Sequence, residues 1–434
     1  MPELLLNAQE RQQIEALVAS DAPKTVKRRG QLLLLLDDGQ PTKQAADAVG
    51  ITPGRARHWR GLFRSKGMDI FPSTELIDQP EDAPAVNLLP SSQEPVVFEA
   101  DVQIEATPTV PQEGPVTLKT PGVEADDLLS EAGRKVLCYH FYQMLMHEEG
   151  TRLGEDIEEL HDMRVATRRM RAAFEVFADA YTTKSLKKLL KDLRLTGRAL
   201  GKVRDLDVFI EKARLYAERL PEEKRTDLEP LLSSWGQERE SAREEMVKYL
   251  DSTKYEDFKQ EYSEFLNTPF AGARQMPQDT LAPRRVREIA PVLIYSRLAA
   301  VRAFDSILED ATIEQFHALR IEFKKLRYTV EFFREVLGEE ARSVINDFKT
   351  IQDHLGDLND AQVATQILRD YLTKWDEQQS VLPVSQRKSP EAVLSYLLHN
   401  YLERERLMKT FHDKWKRFNQ PEFQHRLALA VSAL

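Results

Sequence analysis

Residues 160–171 have the sequence LHDMRVATRRMR, and residues 316–327, which lie 156 positions later, have the sequence FHALRIEFKKLR. The residues that recur unchanged are His161, Arg164 and Arg171, as His317, Arg320 and Arg327. The basic pair Arg168-Arg169 recurs as Lys324-Lys325, and apolar positions recur as apolar positions. The chain therefore contains one helical element twice.

The repeated element has the periodicity of an α-helix with two faces. One face is a cationic stripe at positions i, i+3, i+7 and i+10, formed by His161, Arg164, Arg168 and Arg171. An apolar stripe lies about 100° beside it: Leu160, Met163, Met170, Phe174 and Phe177. Burial of the apolar stripe would hold the cationic one rigid. One such helix would fit a solvated face, but two copies in register favour a surface that holds a polyanion.

Composition restricts the class of protein. The chain has 434 residues, which is enough for two or three domains, and 30% of them are charged. A single cysteine, Cys138, cannot form an internal disulfide, and the longest aliphatic run, residues 32–36, is too short to span a bilayer. The first residues carry no basic region followed by a long apolar one. We expect a soluble, cytoplasmic protein with no membrane partner.

The acidity of the chain is concentrated in a connector. The net charge is −10, yet residues 72–127 hold twelve acidic residues and one lysine, so the flanking segments are free to carry basic patches. Residues 72–125 also contain nine of the 22 prolines and are predicted to form an extended acidic linker. Residues 96–105 alternate like a strand, which leaves open whether they are ordered against a domain.

Residues 1–71 are predicted to form a helix-turn-helix domain. Periodic segments over 8–20 and 25–37 precede a short helix that ends at Gly50, and Thr52 is expected to cap a last helix that reaches about residue 65. The last helix carries the predicted DNA-binding residues Arg55, Arg57, Arg60 and Arg64. Its aromatic residues Trp59 and Phe63 are expected to pack inside. The segment resembles the helix-turn-helix of transposase-derived and homeodomain-like proteins. Contact with a protein instead of DNA remains an alternative.

Residues 126–434 are predicted to be entirely α-helical, with halves at about 126–275 and 282–434. Each half begins with a helix, at about 127–147 and 284–308, continues with the repeated element, and then has a helix that contains a Leu-Gly-(x)3-Asp sequence. Breaks are expected at Glu149-Gly150, Pro221, Thr268-Pro269 and Leu382-Pro383. This order predicts two helical bundles related by a pseudo-twofold axis.

The two motif copies and the Leu-Gly-(x)3-Asp elements resemble the CHAD family, the conserved-histidine α-helical domain, over about residues 126–434. The resemblance implies a two-bundle fold that binds inorganic polyphosphate in a basic central channel and localises to polyphosphate granules. Carried over to this chain, it places binding residues on the first motif at His161, Arg164, Arg168, Arg169 and Arg171. The second motif supplies His317, Arg320, Lys324, Lys325 and Arg327.

The third helix of the first half adds a stripe at helical spacing: Lys187, Lys191, Arg194, Arg198 and Lys202. The equivalent helix of the second half keeps fewer cations, with Lys349 among them. Arginine and lysine side chains suit phosphate because they form charge-assisted hydrogen bonds with its oxygens.

Three functions compete. The first is a polyphosphate-binding protein with a tethering module, and the second is a transcriptional regulator whose helical domain senses polyphosphate or another anion. The third is an enzyme acting on polyphosphate. Relatives of the family can be fused to a triphosphate tunnel domain, whose Glu-x-Glu-x-Lys motif binds a metal ion. We do not favour this function because Glu403-Arg-Glu405 is not followed by that lysine. We predict no catalytic residues, no cofactor and no metal site. The motif histidines are expected to make hydrogen bonds at the helix start or to contact phosphate when protonated.

Overall fold

A computed structural model divides the chain into two compact units, with the division between Gln103 and Ile104. The structure describes residues 6–20, 24–50, 56, 59–61, 63–64, 67–71, 120–274 and 285–434. These residues are helical apart from turns and two isolated β-bridges, which confirms the predicted all-α class. The strand-like segment 96–105 lies outside the described residues.

The N-terminal unit has the predicted helix-turn-helix order. Its helices are α1 (Ala8–Ala19), α2 (Lys24–Asp37), α3 (Thr42–Val49) and α4, formed by the helical residues within 56–64. Asn7 begins α1 because its side chain accepts the N–H of Glu10, whose carboxylate accepts the N–H of Asn7 in return. Gly50 ends α3 in the left-handed conformation, with φ at 72°. The proposed cap Thr52 lies outside the described residues.

Two aromatic residues of α4 hold it against the rest of this unit. Trp59 is 2% exposed and packs in a cluster with Leu32 of α2 and the small residues Ala45 and Ala46 of α3. Phe63 is 4% exposed and belongs to a second cluster, to which α1, α2 and residues Ile70 and Phe71 contribute. Both residues were predicted to pack inside, and the prediction is confirmed.

The second unit contains eleven α-helices in two halves within residues 120–274 and 285–434. The first half contains α5 (Leu129–Met146), α6 (Glu148–Leu153), α7 (Ile157–Val176), α8 (Thr183–Ala217), α9 (Glu229–Leu250) and α10 (Thr253–Asn267). The second half contains α11 (Val286–Arg302), α12 (Ile313–Phe332), α13 (Ala341–Ser380), α14 (Glu391–Phe418) and α15 (Pro421–Val431).

The packing order of the first half recurs in the second. In the first half α7 contacts both α5 and α8, and in the second α12 contacts both α11 and α13. The helices α9 and α10 pack on α8, just as α14 and α15 pack on α13. Because α7 also packs against α12, and α5 against α11, the two motif helices lie side by side where the halves meet.

One hydrophobic core joins the two halves. The apolar stripes of α7 and α12 lie in it, and Met163, Met170 and Phe323 are fully buried. The ring of Phe323 lies 5.9 Å from that of Trp415 and 5.1 Å from that of Phe418, measured between centroids. This packing fixes the rotation of each motif helix about its axis, as the apolar pattern predicted.

The helices α8 and α13 extend beyond this core and build a second one. They have 35 and 40 residues, and their ends pack with α9 and α14 around Ile210, Trp235, Leu368 and Tyr396. The second core therefore also ties the two halves together. No helix in the described ranges is long and apolar enough to cross a membrane.

Residues 120–125, assigned above to the linker, contact the helical unit. Val123 is 3% exposed, and its N–H and that of Gly122 donate to the carboxylate of Glu335 over 2.8 and 3.1 Å. The carbonyl of Ala125 accepts the N–H of Arg287. Contacts with the helical unit are thus present from Gly122 onward.

Three of the four predicted breaks are present, and one is wrong. The helices α8, α10 and α13 end shortly before Pro221, Pro269 and Pro383. The pair Glu149-Gly150 instead lies inside α6, and the break between α5 and α6 falls at His147. Packing explains the glycine at position 150, because a Cβ on Gly150 would approach the Glu159 side chain of α7 to 2.4 Å.

Candidate functional site

The motif helices begin at caps that set their cationic stripes in register. The Asp156 side chain accepts the N–H of Glu158 at the start of α7. Thr312 and Gln315 form a reciprocal capping box at the start of α12. With the apolar stripes buried, the cationic stripes lie where α7 and α12 meet.

Three cations from the two motifs form a cluster without counter-ions. In the described part of the chain, no carboxylate oxygen lies within 4.0 Å of the side-chain nitrogens of Arg168, Arg320 or Lys324, and none of the three makes a side-chain hydrogen bond. The Nε atoms of Arg168 and Arg320 are buried and unpartnered. We call these three residues the uncompensated cluster.

Burial and mutual repulsion lower the pKa values of Lys324 and Arg320 in this cluster. Burial, together with the charges of Arg320, Arg168, Arg164 and Arg327, lowers the pKa of Lys324 to about 7. Burial also lowers the pKa of Arg320 and of Arg164. Like charges at this density destabilise the free protein, and an anion that entered the cluster would relieve the repulsion.

A cavity of about 250 Å³ opens beside the uncompensated cluster. Its cationic lining residues are Arg168, Arg171, Arg297, Lys324 and Lys325. Glu175 and Tyr328 also line it. Arg297 lies on α11 and was missed by the sequence analysis. It is a single arginine beside the buried stripe of α11, a helix that lies outside both motif copies, so the motif gives no signal for it.

Other predicted residues of the motifs have carboxylate partners. Arg164 Nη2 lies 2.9 Å from Asp205, and Lys325 Nζ lies 2.6 Å from Glu322. Arg169 reaches across to Glu331 of the other half over 3.3 Å, and Arg327 lies 3.7 Å from the same carboxylate. These four cations are therefore partly neutralised before any ligand binds.

The stripe on α8 lies on the surface, next to the contact between α7 and α8. Lys187, Lys191, Arg194 and Arg198 are exposed. Asp205, which pairs with Arg164, follows Arg194 by eleven residues and Arg198 by seven, so all three lie on one side of α8. Lys202 departs from this stripe because its Nζ pairs with Glu245 of α9 at 2.8 Å. Lys349 on α13 is exposed and precedes Asp360 by eleven residues, the same spacing as between Arg194 and Asp205.

The two motif histidines have different surroundings. Burial and the charges of Arg204, Arg168 and Arg164 lower the pKa of His161 to about 4, so it is neutral near pH 7. His317 is exposed, and its Nδ1 lies 3.0 Å from the amide oxygen of Asn359 on α13. The hydrogen bond of His317 thus reaches another helix and does not cap its own.

In the N-terminal unit, two of the four predicted DNA-binding arginines can be located. Arg64 is exposed, and the Arg60 guanidinium donates to the hydroxyl of Thr42 on α3 over 3.3 Å. Arg55 and Arg57 lie outside the described residues.

Known proteins resemble both units. Residues 23–70 match a homeodomain-like helix-turn-helix family. The crystal structure of the CHAD domain from the plant Ricinus communis shares 22% identity and a TM-score of 0.52, covering 74% of this chain and 97% of its own. PptA from Streptomyces chartreusis shares 15% identity and a TM-score of 0.50, covering 67% of this chain and 100% of its own. These two likenesses show the fold alone. No curated protein matches the chain.

The duplicated motif helices and the packing order around them agree with one family. Residues 135–369, more than half of the chain, match the CHAD domain, a family in which some members bind polyphosphate. The chain belongs to the CHAD family.

Proposed function

We propose that the protein binds inorganic polyphosphate along the basic surface between α7 and α12. The observation that carries the proposal is the uncompensated cluster. Arg168, Arg320 and Lys324 are half-buried cations from two helices, and within the described residues they lack carboxylate partners. Folding normally pairs or exposes such charges, because a buried cation without a partner is destabilising. A ligand with many negative charges would supply the missing partners.

An extended anion fits this surface better than a compact one. The exposed cations of α8 continue the side of that helix that bears the Asp205 contact, so positive charge runs beyond the cavity. Polyphosphate carries a negative charge on each unit and can follow such a path, whereas a single phosphate would occupy only the cavity. Arginine forks suit its paired oxygens. We propose Arg297 as a further contact because it lines the same cavity.

Binding should depend on the uncompensated cluster and not on total charge. We would measure the affinity of the full chain for long-chain polyphosphate by calorimetry, comparing Arg168→Ala/Arg320→Ala with the exposed pair Lys409→Ala/Lys416→Ala on α14. Each charge-assisted contact contributes about 1.5–3 kcal/mol. The first variant should lose about a hundredfold or more. The control removes the same charge and should change affinity only slightly. Equal losses in both variants would contradict the proposed site.

We propose binding and not catalysis. Glu403 and Glu405 lie on α14, where Arg406 and Arg404 pair with them at 2.6 and 2.7 Å. Both carboxylates therefore already have cationic partners. We further propose a cytoplasmic protein associated with polyphosphate granules. Fluorescent tagging in cells with and without polyphosphate would test this, and a distribution unaffected by polyphosphate would contradict it.

The homeodomain-like match supports a second proposal, that the N-terminal unit binds DNA through the exposed side of α4. Arg64 is available there, and the aromatic residues of α4 are committed to the core. In a gel-retardation assay, residues 1–71 should retard duplex DNA at low salt, and the retardation should disappear as the salt concentration rises. Arg60→Ala/Arg64→Ala should weaken the retardation. Unchanged mobility of DNA at low salt would favour contact with a protein. A regulator would in addition show DNA affinity of the full chain that changes with polyphosphate.

A further inference from the structure

Two equivalent aspartates have different partners at the candidate site. Asp205 on α8 and Asp360 on α13 each end a Leu-Gly-(x)3-Asp element, one in each half. Asp205 pairs with Arg164, the first arginine of its own motif, at 2.9 Å. Asp360 is not within 4.0 Å of the equivalent Arg320. Instead, Asp360 Oδ2 accepts a hydrogen bond from Lys212 Nζ at 2.7 Å. The first arginine is thus neutralised in one half and left without a carboxylate in the other.

The two halves also differ at Lys212. It lies on α8 of the first half and reaches an aspartate of the second. The position that corresponds to it on α13 is Ile367, which packs against the second core and cannot form an ion pair. Asp205 therefore has no lysine to hold it and remains with Arg164, while Asp360 is held by Lys212.

Asp360 nevertheless lies within electrostatic reach of both first arginines. Burial lowers the pKa of Arg320, and the charge of Asp360 opposes that lowering. The same charge acts on Arg164, where Asp205 is the nearer acid. The ion pair with Lys212 therefore competes with these arginines for the Asp360 carboxylate.

We propose that Lys212 is a positioning residue of the polyphosphate site, which keeps Arg320 available by holding Asp360, and that Asp205 is an internal competitor for Arg164. The inference rests on the proposed function and names the groups that regulate that site. A phosphate group can bind Arg320 without displacing a carboxylate, whereas it must displace Asp205 to bind Arg164. Arg320 is then the first of the two to be occupied.

A double-mutant cycle tests the proposal on the full chain with long-chain sodium polyphosphate as the probe. Lys212→Met should weaken binding about fivefold, the effect of one partly exposed ion pair, because Asp360 is released towards Arg320. Lys212→Met in an Asp360→Asn background should change affinity little, because no carboxylate remains to be released. Asp205→Asn should tighten binding by a similar factor. Lys409→Met reports the general effect of one lost positive charge on the surface.

The outcomes separate this inference from the function on which it rests. An equal loss on Lys212→Met with and without Asp360 would mean that Lys212 acts as an ordinary surface charge, and would overturn the proposal while leaving the site intact. A variant Asp205→Asn that binds no more tightly than the unmodified protein would refute the competitor role. Failure of the unmodified protein to bind polyphosphate would overturn both the function and the inference. Thermal melting of each variant shows whether it has kept its fold.

Discussion

The ionisation of Lys324 couples polyphosphate affinity to pH. Its pKa in the free protein is about 7, lowered by burial and by the neighbouring arginines, so close to half of the molecules carry the charge at neutral pH. A bound phosphate group stabilises the charged form and raises this pKa. Binding near pH 7 should therefore take up about half a proton, and affinity should fall as pH rises.

The magnitude follows from the charged fraction of Lys324. With a pKa of about 7, roughly nine-tenths of the side chains are charged at pH 6 and roughly 3% at about pH 8.5. Where only the charged form binds well, the apparent dissociation constant scales with the inverse of that fraction. Affinity should drop about 30-fold between these pH values, close to 2 kcal/mol.

The slope can be assigned to Lys324 by substitution. His161, with a pKa of about 4, titrates below this range. Terminal phosphate groups gain charge as pH rises, which works in the opposite direction and matters little for a long chain. Lys324→Arg should bind with nearly the same affinity at both pH values, because its guanidinium stays protonated. Lys324→Met should bind weakly at both.

Titration calorimetry at constant ionic strength, in two buffers of different ionisation enthalpy, gives both affinity and proton uptake. Equal affinity at about pH 6 and pH 8.5, or a slope that persists in Lys324→Arg, would rule out Lys324 as the group that couples binding to pH. Unfolding in urea gives a second measurement. Because the folded pKa lies below the ordinary 10.5, the charged lysine destabilises the free protein fully below pH 7, and this effect fades as pH rises from about 7 to 10.5. Lys324→Met should accordingly be most stabilising at the lower pH.

Three further substitutions test what holds the site in place, each by urea unfolding. Phe323→Ala, which opens a cavity under α12, should cost about 3–5 kcal/mol, and a cost below about 1 kcal/mol would contradict its central packing. Glu331→Ala should lower the free energy of unfolding by about 3 kcal/mol, because the half-buried Arg169 and Arg327 lose their shared carboxylate. The control Glu245→Ala removes an exposed ion pair and should lower it by less than about 1 kcal/mol. Glu335→Ala should lower the free energy of unfolding by about 1–3 kcal/mol. It should also speed hydrogen exchange at the Gly122 and Val123 N–H groups, which donate to the Glu335 carboxylate.

Sequence periodicity predicted the helices because each has one buried face, and a buried face repeats every three to four residues whatever the helix packs against. The motif duplication predicted that α7 and α12 are equivalent, and their shared packing confirms it. The pairing of charges could not be predicted in this way. Lys202 belongs to the basic stripe of α8 by spacing, yet its ammonium group meets Glu245 of the neighbouring helix. Arg297 enters the cavity from α11, a helix that carries no motif.

The duplication itself explains why the candidate site is both strained and asymmetric. Packing two copies of one cationic helix against each other places like charges together, and acids supplied by the same duplicated unit can neutralise only part of them. Complete neutralisation would stabilise the free protein but leave nothing for an anion to bind. Divergence of single positions resolves this conflict locally. Lys212, which pairs with Asp360, corresponds to Ile367 in the other half, and with that one difference Arg320 lacks the carboxylate that Arg164 has.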